Sequence, residues 1–181
     1  MKKFTYTIIA TVLMALMACS STKSPAEVAA RHAADSIAHA QAIVMLDSMD
    51  FITRASQVQI KGGRIIYSDS EFTNFLCANG GYGVVQLASM RNPGPGFNGL
   101  GGLTIRGDIR LLKKTTDKSG RTTYEYNLTA PVASCRIVVS IPKDGTRVLA
   151  QITGNFRGGT VSIMGPIEPY DPTTIALGRY L

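Results

Sequence analysis

Regular alternation of apolar and polar side chains dominates the second half of this chain. In the stretches 103–111, 133–141 and 147–153, apolar residues or glycine occupy every second position. Successive side chains of a β-strand point to opposite faces, so a period of two is typical of strands with one buried and one solvated face. Such strands belong to antiparallel sheets. The chain is therefore predicted to consist mainly of antiparallel strands.

Turn sequences separate the alternating stretches. Asp117–Gly120, Lys143–Gly145 and Arg157–Gly159 combine glycine with polar residues, a composition that favours tight hairpins. Further strands are predicted near 51–60, 64–68, 71–78, 83–90, 121–129 and 160–167. About eight strands at this spacing form a sandwich or a barrel. The predicted fold is all-β, an antiparallel meander forming a barrel or sandwich, preceded by one N-terminal helix.

The helix is predicted from an alanine-rich segment without glycine or internal proline. Ser24, Pro25 and Glu27 match the N-cap, the first helical residue and the returning acid of a capping box. High helix propensity continues to Met49. Apolar residues at alternating steps of four and three mark one face, namely Ala26, Ala30, Ala33, Ile37, Ala40 and Val44. The second half of the helix, which has larger apolar side chains, is expected to pack on the β domain.

The N-terminus has the features of a secretory signal peptide: two lysines, a short apolar run and small residues before a cleavage point. Leu16-Met17-Ala18-Cys19 resembles a bacterial lipoprotein signal, which is cleaved after Ala18 and acylated on Cys19. A retained membrane anchor is disfavoured, because residues 4–18 number only 15 and a spanning helix needs about 20. Plain secretion is the remaining alternative.

These features predict the organisation of the whole chain. Its segments are a signal peptide (1–18), a lipid-anchored tether (19–24), an alanine-rich helix (25–49), a β domain (50–168) and a C-terminal tail (169–181). Acylated Cys19 would hold the protein on a membrane, since more than one acyl chain gives stable anchoring. No acidic residue follows Cys19 before Glu27, which favours the periplasmic face of the outer membrane over the cell surface.

The charge of the mature chain does not indicate a nucleic-acid-binding protein. Removal of Lys2 and Lys3 with the signal leaves 17 basic and 12 acidic residues, a net charge of +5. The basic residues are scattered rather than clustered, and the predicted compartment contains little nucleic acid. The expected partners are instead the membrane, through acylated Cys19, and an envelope protein or an apolar ligand.

Two cysteines remain once Cys19 carries lipid. Cys77 and Cys135 form an even pair in an oxidising compartment, where a disulfide is possible. The alternative is two buried thiols, because free cysteine is among the most buried residue types. The sequence leaves both alternatives open.

Both histidines lie in the helix, where they invite a metal interpretation. His32 and His39 flank Asp35 at spacings of three and four residues. The imidazoles are about 10 Å apart along the helix axis, too far for one ion held at about 2 Å. A solvated face is the expected role, and neither a metal nor a cofactor is predicted.

The densest unusual stretch is the glycine-rich segment 92–102. Gly94, Gly96 and Gly99 satisfy the spacing of a dinucleotide fingerprint, but a strand rather than a helix is predicted to follow, and no phosphate-binding Lys-Ser/Thr is present. A structural bend is favoured over a mobile loop at a pocket mouth. The candidate loop or ligand region comprises Gly94, Gly96, Phe97, Gly99, Gly101 and Gly102.

This stretch also carries a family resemblance. Phe51 after a polar helix, the segment Val84–Leu87, the run Asn98–Gly107 and the later hairpins resemble a lipoprotein family of anaerobic Gram-negative gut bacteria, the domain of unknown function 4251. The resemblance covers about residues 40–168. It implies a lipid-anchored, β-rich envelope domain and supplies no catalytic residues.

No catalytic constellation is apparent in the predicted β domain. Both histidines lie outside it, so a serine or cysteine nucleophile would lack a histidine base. Asp108 and Glu125 could form a carboxylate pair, but ion pairing with Arg106 or Arg110 is the expected role. The expected function is therefore a non-catalytic envelope module. The alternative is a barrel that binds an apolar small molecule or lipid, in a cavity lined by Tyr67, Tyr124 and Tyr126.

Overall fold

The computed structural model describes residues 24–60, 65–67, 73–88, 102–131, 133–154 and 159–178. It contains one α-helix, α1 (Pro25–Ser48), and a short 3-10 helix at Pro172–Thr174 within these residues. Ten strands are present in the same ranges: β1 (Phe51–Arg54), β2 (Gln57–Gln59), β3 (Ile65–Tyr67), β4 (Phe75–Asn79), β5 (Tyr82–Leu87), β6 (Leu103–Thr116), β7 (Thr122–Thr129), β8 (Ser134–Ile141), β9 (Arg147–Gly154) and β10 (Thr160–Glu168).

The strands form a closed antiparallel barrel. From β4 to β10 each strand pairs with the next along the chain, and β1 closes the ring by pairing with both β4 and β10. The closing pairs are Ile52 with Glu168 and Thr53 with Ile167. The predicted all-β meander after one helix is confirmed. Of the two predicted alternatives, a barrel and a sandwich, the structure is a barrel. β3 adds one further strand, beside β2.

A bulge separates β1 from β2. Between the pairs Thr53–Ile167 and Gln57–Met164, three residues of one strand face two of β10, which bends the strand. The Ala55 N–H then donates to the carbonyl of Asn74, the residue directly before β4, and the Ser56 N–H donates to the carbonyl of Met164 in β10. Here β10 approaches so closely that a Cβ on Gly165 would lie 1.7 Å from the carbonyl oxygen of Arg54.

Side chains fill the interior of the barrel. Alternate residues of β7, β8 and β9 point inward and are buried, as the period of two in the sequence predicts. They form one cluster with Phe51, Ile105 and Ile109. Eight strands enclose a space just wide enough to be filled in this way.

The first turn of α1 has the predicted capping box. The Ser24 N–H donates to Glu27 Oε2 at 2.9 Å, and the Glu27 N–H donates to Ser24 Oγ at 3.2 Å. The chain divides into two compact units between Ala34 and Asp35, so α1 contributes to both. No helix in the described part of the chain is both long and apolar enough to span a membrane.

The second half of α1 packs on the barrel, as predicted, but through a different face from the one that the spacing indicates. Its buried residues are Ala42 and Leu46, which join the cluster inside the barrel. Ile37 and Val44, which belong to the predicted face, are 62% and 65% exposed. The alanine-rich pattern therefore identifies the helix but assigns its packing face wrongly.

Candidate functional site

Most of the predicted site residues lie outside the described residues. This holds for Ala18 and Cys19, and for Gly94, Gly96, Phe97, Gly99 and Gly101. Gly102 is described, directly before β6. A Cβ at Gly102 would lie 1.8 Å from the carbonyl oxygen of Leu87. This glycine therefore permits a close approach between two strands, and the interpretation of the rest of the segment lies outside the described residues.

Cys77 and Cys135 are both free and buried. Cys135 belongs to the cluster inside the barrel, whereas Cys77 belongs to a second cluster with Ile52, Phe75 and Val84. Burial raises the pKa of Cys77 to about 12 and that of Cys135 to about 11. Of the two alternatives left open by the sequence, the structure has the buried thiols and not the disulfide.

Two predicted cavity-lining tyrosines occupy the barrel interior themselves. Tyr124 and Tyr126 are both 0% exposed, and their rings stack with centroids 6.1 Å apart. Tyr126 also contacts Phe51, and its hydroxyl donates to the carbonyl of Leu46 at 2.9 Å. Burial raises the pKa of both tyrosines. The side chain of Tyr67 lies outside the described part. Around Tyr124 and Tyr126 the interior is packed.

An ion pair lies where α1 meets the end of β6. Lys114 Nζ contacts both carboxylate oxygens of Asp47, at 2.7 and 2.8 Å, and lies 5.2 Å from the ring centroid of Tyr124. The hydrogen bond to Asp47 raises the pKa of Lys114. Both side chains are substantially exposed, so this pair contributes little to stability.

The two histidines of α1 have different surroundings. His39 Nδ1 lies 2.9 Å from the carbonyl oxygen of Gly145, a contact between α1 and the β8–β9 turn, and His32 is exposed. Within the described ranges, no group of three or more His, Cys, Asp or Glu side chains could hold a metal ion. His39 therefore helps to position α1.

The structure does not bring Asp108 and Glu125 together. Asp108 lies opposite Thr129, four residues along β7 from Glu125, which corresponds to about 13 Å at the rise of a β-strand. That exceeds the separation of about 5–9.5 Å found in glycosidases. Glu125 pairs with Arg136, whose Nη2 lies 2.7 Å from Glu125 Oε2. The expected ion pair exists, but its partner is Arg136 rather than Arg106 or Arg110.

A groove runs between α1 and the end of β10. Its volume is about 800 Å³, and its lining is mainly apolar: Ile37, Ala38, Ala40, Gln41, Val44, Met45, Thr146, Ile167, Glu168 and Pro169. This volume falls within the range of about 300–1,000 Å³ that is typical of small-molecule sites. The groove is open to solvent along its length.

A buried polar site lies on the outer face of the barrel, beneath the C-terminal tail, here residues 169–178. We call it the tail-covered face and define it by Arg54, Phe75, Cys77, Val84 and Gln86. Arg54 Nη1 donates to the carbonyl of Thr174 at 2.9 Å, and its Nε contacts Glu168 at 3.1 Å. Tyr170 and Ile175 pack against the apolar members.

Gln86 makes the most extensive contacts on this face. It is 0% exposed. Its Nε2 donates to the carbonyls of Ala176 at 2.6 Å and Thr73 at 3.2 Å. Its Oε1 accepts from the Gly178 N–H at 2.8 Å and from Thr104 Oγ1 at 3.1 Å. All four hydrogen-bonding positions of the amide are thereby used.

Sequence reasoning missed this site, although a signal for it exists. β1 and β4 read Phe-Ile-Thr-Arg and Phe-Leu-Cys-Ala-Asn, and four successive residues are buried in each. Alternation is expected of a strand with one solvated face, whereas burial on both faces gives a continuous run. β4 is apolar at four successive positions, from Phe75 to Ala78, and this unbroken run indicates a cover on its outer face.

These features define a class: a small closed antiparallel barrel with a filled interior, a docked helix and a covered outer face. Residues 33–167, which are 135 of the 181, match the family described as "Domain of unknown function (DUF4251)". The chain belongs to this family, which confirms the resemblance seen in the sequence.

A solved structure supports the same assignment. The chain is similar to a DUF4251 family protein from Bacteroides eggerthii, known from its crystal structure, with 29% sequence identity and a TM-score of 0.64. The similarity covers 76% of this chain and 91% of that chain. None of the curated proteins compared with the chain is similar to it.

Proposed function

We propose that this protein is a lipid-anchored component of the bacterial cell envelope that binds a partner and catalyses no reaction. The filled barrel interior carries the proposal. Fully buried side chains, among them Tyr124, Tyr126 and Phe51, occupy the space in which a barrel of this size would hold a ligand. The outer surface is then the place where a partner binds.

The arrangement of acidic side chains supports a non-catalytic role. Asp108 and Glu125 are too far apart to act on one bond, and Glu125 is engaged by Arg136. Asp117 and Asp171 accept hydrogen bonds within their own turns, from Ser119 and Thr173 respectively, which lowers the pKa of each carboxyl. These acids stabilise local backbone structure.

The anchor is supported by Leu16-Met17-Ala18-Cys19 and by the position of the folded part. α1 begins at Pro25, six residues after Cys19. A tether of this length spans at most about 20 Å, so acylation of Cys19 places the start of α1 near the bilayer surface. The periplasmic face of the outer membrane is the proposed location.

Fractionation of bacterial cells tests the anchor. The wild-type chain is expected in the membrane fraction and is released by detergent, whereas Cys19→Ala moves to the soluble fraction. Cys77→Ala is the matched control, because it also removes one thiol but leaves the signal sequence intact, and it is expected to remain with the membrane. Retention of Cys19→Ala in the membrane would overturn the anchor.

Binding of an apolar small molecule is the second candidate, and the groove beside α1 is the observation in its favour. Native mass spectrometry of the purified Cys19→Ala chain separates the two functions. The bare polypeptide mass is expected if the protein binds only a macromolecular partner. An added mass that disappears on denaturation would favour the small-molecule function, and Val44→Asp, which places a charge in the groove, would then abolish it.

A further inference from the structure

Burial is distributed unequally between the tail-covered face and the tail itself. Arg54, Phe75, Cys77 and Gln86 are at most 8% exposed. In contrast, every residue from Pro169 to Gly178 retains part of its surface in solvent. The tail thus lies on the surface and buries groups of the barrel without being buried itself. Segments with few buried contacts open at a lower free energy than the core around them.

The polar contacts on this face are directed mainly at the main chain of the tail. Gln86 binds the carbonyl of Ala176 and the N–H of Gly178, and Arg54 binds the carbonyl of Thr174. Main-chain hydrogen bonds together with pockets for side chains are a common way in which proteins bind peptide segments. The two apolar anchors of the tail are Tyr170 and Ile175, five positions apart.

The tail is separable from the barrel core. The cluster beneath it (Ile52, Phe75, Cys77 and Val84) is distinct from the large cluster inside the barrel. The family match also ends at residue 167, before the tail begins. Displacement of the tail would therefore uncover the outer face while the interior packing stays in place.

A buried charge and a buried amide make the uncovered state unfavourable unless another ligand replaces the tail. A buried polar group that loses its hydrogen-bond partner destabilises the structure, and a buried charged group does so more strongly. Arg54 and Gln86 would lose the partners that the tail provides. A segment that offers the same main-chain groups restores these bonds, whereas a purely apolar surface does not.

We propose that the tail-covered face is a binding site for a peptide segment of a partner protein, which the C-terminal tail occupies as a displaceable internal ligand. The partner segment resembles the tail in chemistry: two apolar or aromatic side chains five positions apart, with main-chain carbonyl and N–H groups available directly before and after the second of them. This inference rests on the proposed partner-binding function and names the chemistry of the partner.

The test uses the full chain in detergent and a fluorescein-labelled peptide of residues 169–181. The internal tail competes with the peptide for the site. The apparent affinity of the chain for the peptide is therefore the affinity of the open site multiplied by the fraction of chains in which the site is open. Ile175→Asp removes an anchor of the internal tail. It is expected to bind the labelled peptide at least about tenfold more tightly than the wild-type chain does. The matched control is Leu177→Asp, since Leu177 is 51% exposed, and it is expected to bind as the wild-type chain does.

Two further measurements identify the site. Adding Gln86→Leu to the Ile175→Asp chain is expected to abolish peptide binding, and a labelled peptide with Asp in place of Ile175 is expected not to bind. In the wild-type chain, saturating peptide is expected to accelerate hydrogen exchange at the amide of Gly178, while the amides of β7 and β8 are unaffected. This measurement requires no variant to fold.

The proposal is overturned if the folded Ile175→Asp chain shows no saturable binding, or if the peptide leaves the exchange of Gly178 unchanged. Either result would make the tail a permanent structural element. The outcome is independent of the anchor, since the chain is studied in detergent whether or not Cys19 carries lipid. A failure of peptide binding therefore does not change the conclusion from fractionation. A failure of the anchor likewise does not change the conclusion from peptide binding.

Discussion

The hydroxyl of Tyr126 donates a hydrogen bond of 2.9 Å to the main-chain carbonyl of Leu46. Tyr126 points into the barrel from β7, and Leu46 lies in the last turn of α1. Carbonyls of the last helical turn lack the usual helical partner; that of Leu46 accepts a long bond of 3.4 Å from the Met49 N–H, and the Tyr126 hydroxyl is its closer partner, at a buried position. The helix is thus fixed to the barrel by a main-chain contact as well as by apolar packing.

Removal of the Tyr126 hydroxyl should destabilise the protein. Tyr126→Phe is expected to lower the free energy of unfolding by about 1 kcal/mol, because the Leu46 carbonyl loses its closer partner and keeps the longer bond from the Met49 N–H. Urea denaturation measures the change. Tyr124→Phe is the matched control: the Tyr124 hydroxyl is equally buried but has no partner of good hydrogen-bond geometry among the described residues and lies near the exposed Lys114–Asp47 pair, so its loss should cost less than that of the Tyr126 hydroxyl. Equal destabilisation by both variants would contradict the assigned role of the bond.

Truncation of Leu46 and of Val44, in two separate variants, should distinguish the buried face of α1 from its exposed face. Leu46 is 0% exposed, and Leu46→Ala is expected to cost about 2–5 kcal/mol through lost burial and a residual cavity. Val44→Ala should change stability by less than about 0.5 kcal/mol, because the side chain is mostly in solvent. Thermal unfolding of the two variants measures the change in stability. A larger loss of stability for Val44→Ala than for Leu46→Ala would show that the face of α1 that contains Val44 packs against the barrel.

A side chain at Gly165 should disrupt the closure of the barrel. Gly165→Ala places a Cβ 1.7 Å from the Arg54 carbonyl oxygen, so the main chain of β10 must move away from the bulge. At Gly145 the nearest atom to an added Cβ is a side-chain atom of Pro142 at 3.2 Å. Gly145→Ala is therefore the control. Thermal unfolding should show a large loss for Gly165→Ala and a small one for Gly145→Ala, and similar values would argue against the close approach.

The rates at which the two buried thiols react should distinguish opening of the tail from opening of the barrel. Only the thiolate reacts with maleimides, and burial raises the pKa of both cysteines. Cys77 becomes accessible when the tail opens, whereas Cys135 requires opening of the barrel. We expect N-ethylmaleimide to modify Cys77 at least about tenfold faster than Cys135, since local opening costs less than global unfolding. Peptide mapping measures both rates. Identical rates would mean that tail and barrel open together.

The stability of the protein should decline in alkali. Cys77 has its pKa raised from 9.0 to about 12 by burial, so above pH 9 the unfolded chain releases a proton that the folded chain retains. The stabilisation is complete below pH 9 and is lost as the pH rises toward 12. Raised pKa values of Tyr124 and Tyr126 act in the same direction. The urea midpoint should fall between pH 8 and pH 11, and less steeply in Cys77→Ala; a constant midpoint would refute this.

Local patterns in the sequence predict the strands of this fold well. β7, β8 and β9 alternate strictly and have one buried face each, and the capping box at Ser24 forms as expected. The closure of the barrel could not be predicted in the same way. It pairs Ile52 with Glu168, and nothing in the period of either strand specifies a partner more than a hundred residues away.

Side-chain direction was predictable only where polar residues mark one face. α1 has apolar residues on every side from Ile43 to Leu46, so its packing face is determined by contacts with the barrel rather than by spacing. Cys77 lies in a strand that is apolar at four successive positions, so its face could not be assigned. The site under the tail was missed for the same reason, since its cover comes from residues 169–178.

The seam between β1 and β10 also determines how the molecule responds to mechanical load. Because Ile52 lies opposite Glu168, the chain enters and leaves the barrel at adjacent points of one rim. A force that pulls these two points apart acts on the seam from its end and breaks the pairs one after another. Unzipping of this kind requires less force than shearing two strands along their length. Traction between the N-terminal segment and the C-terminal tail would therefore open the barrel along this seam first.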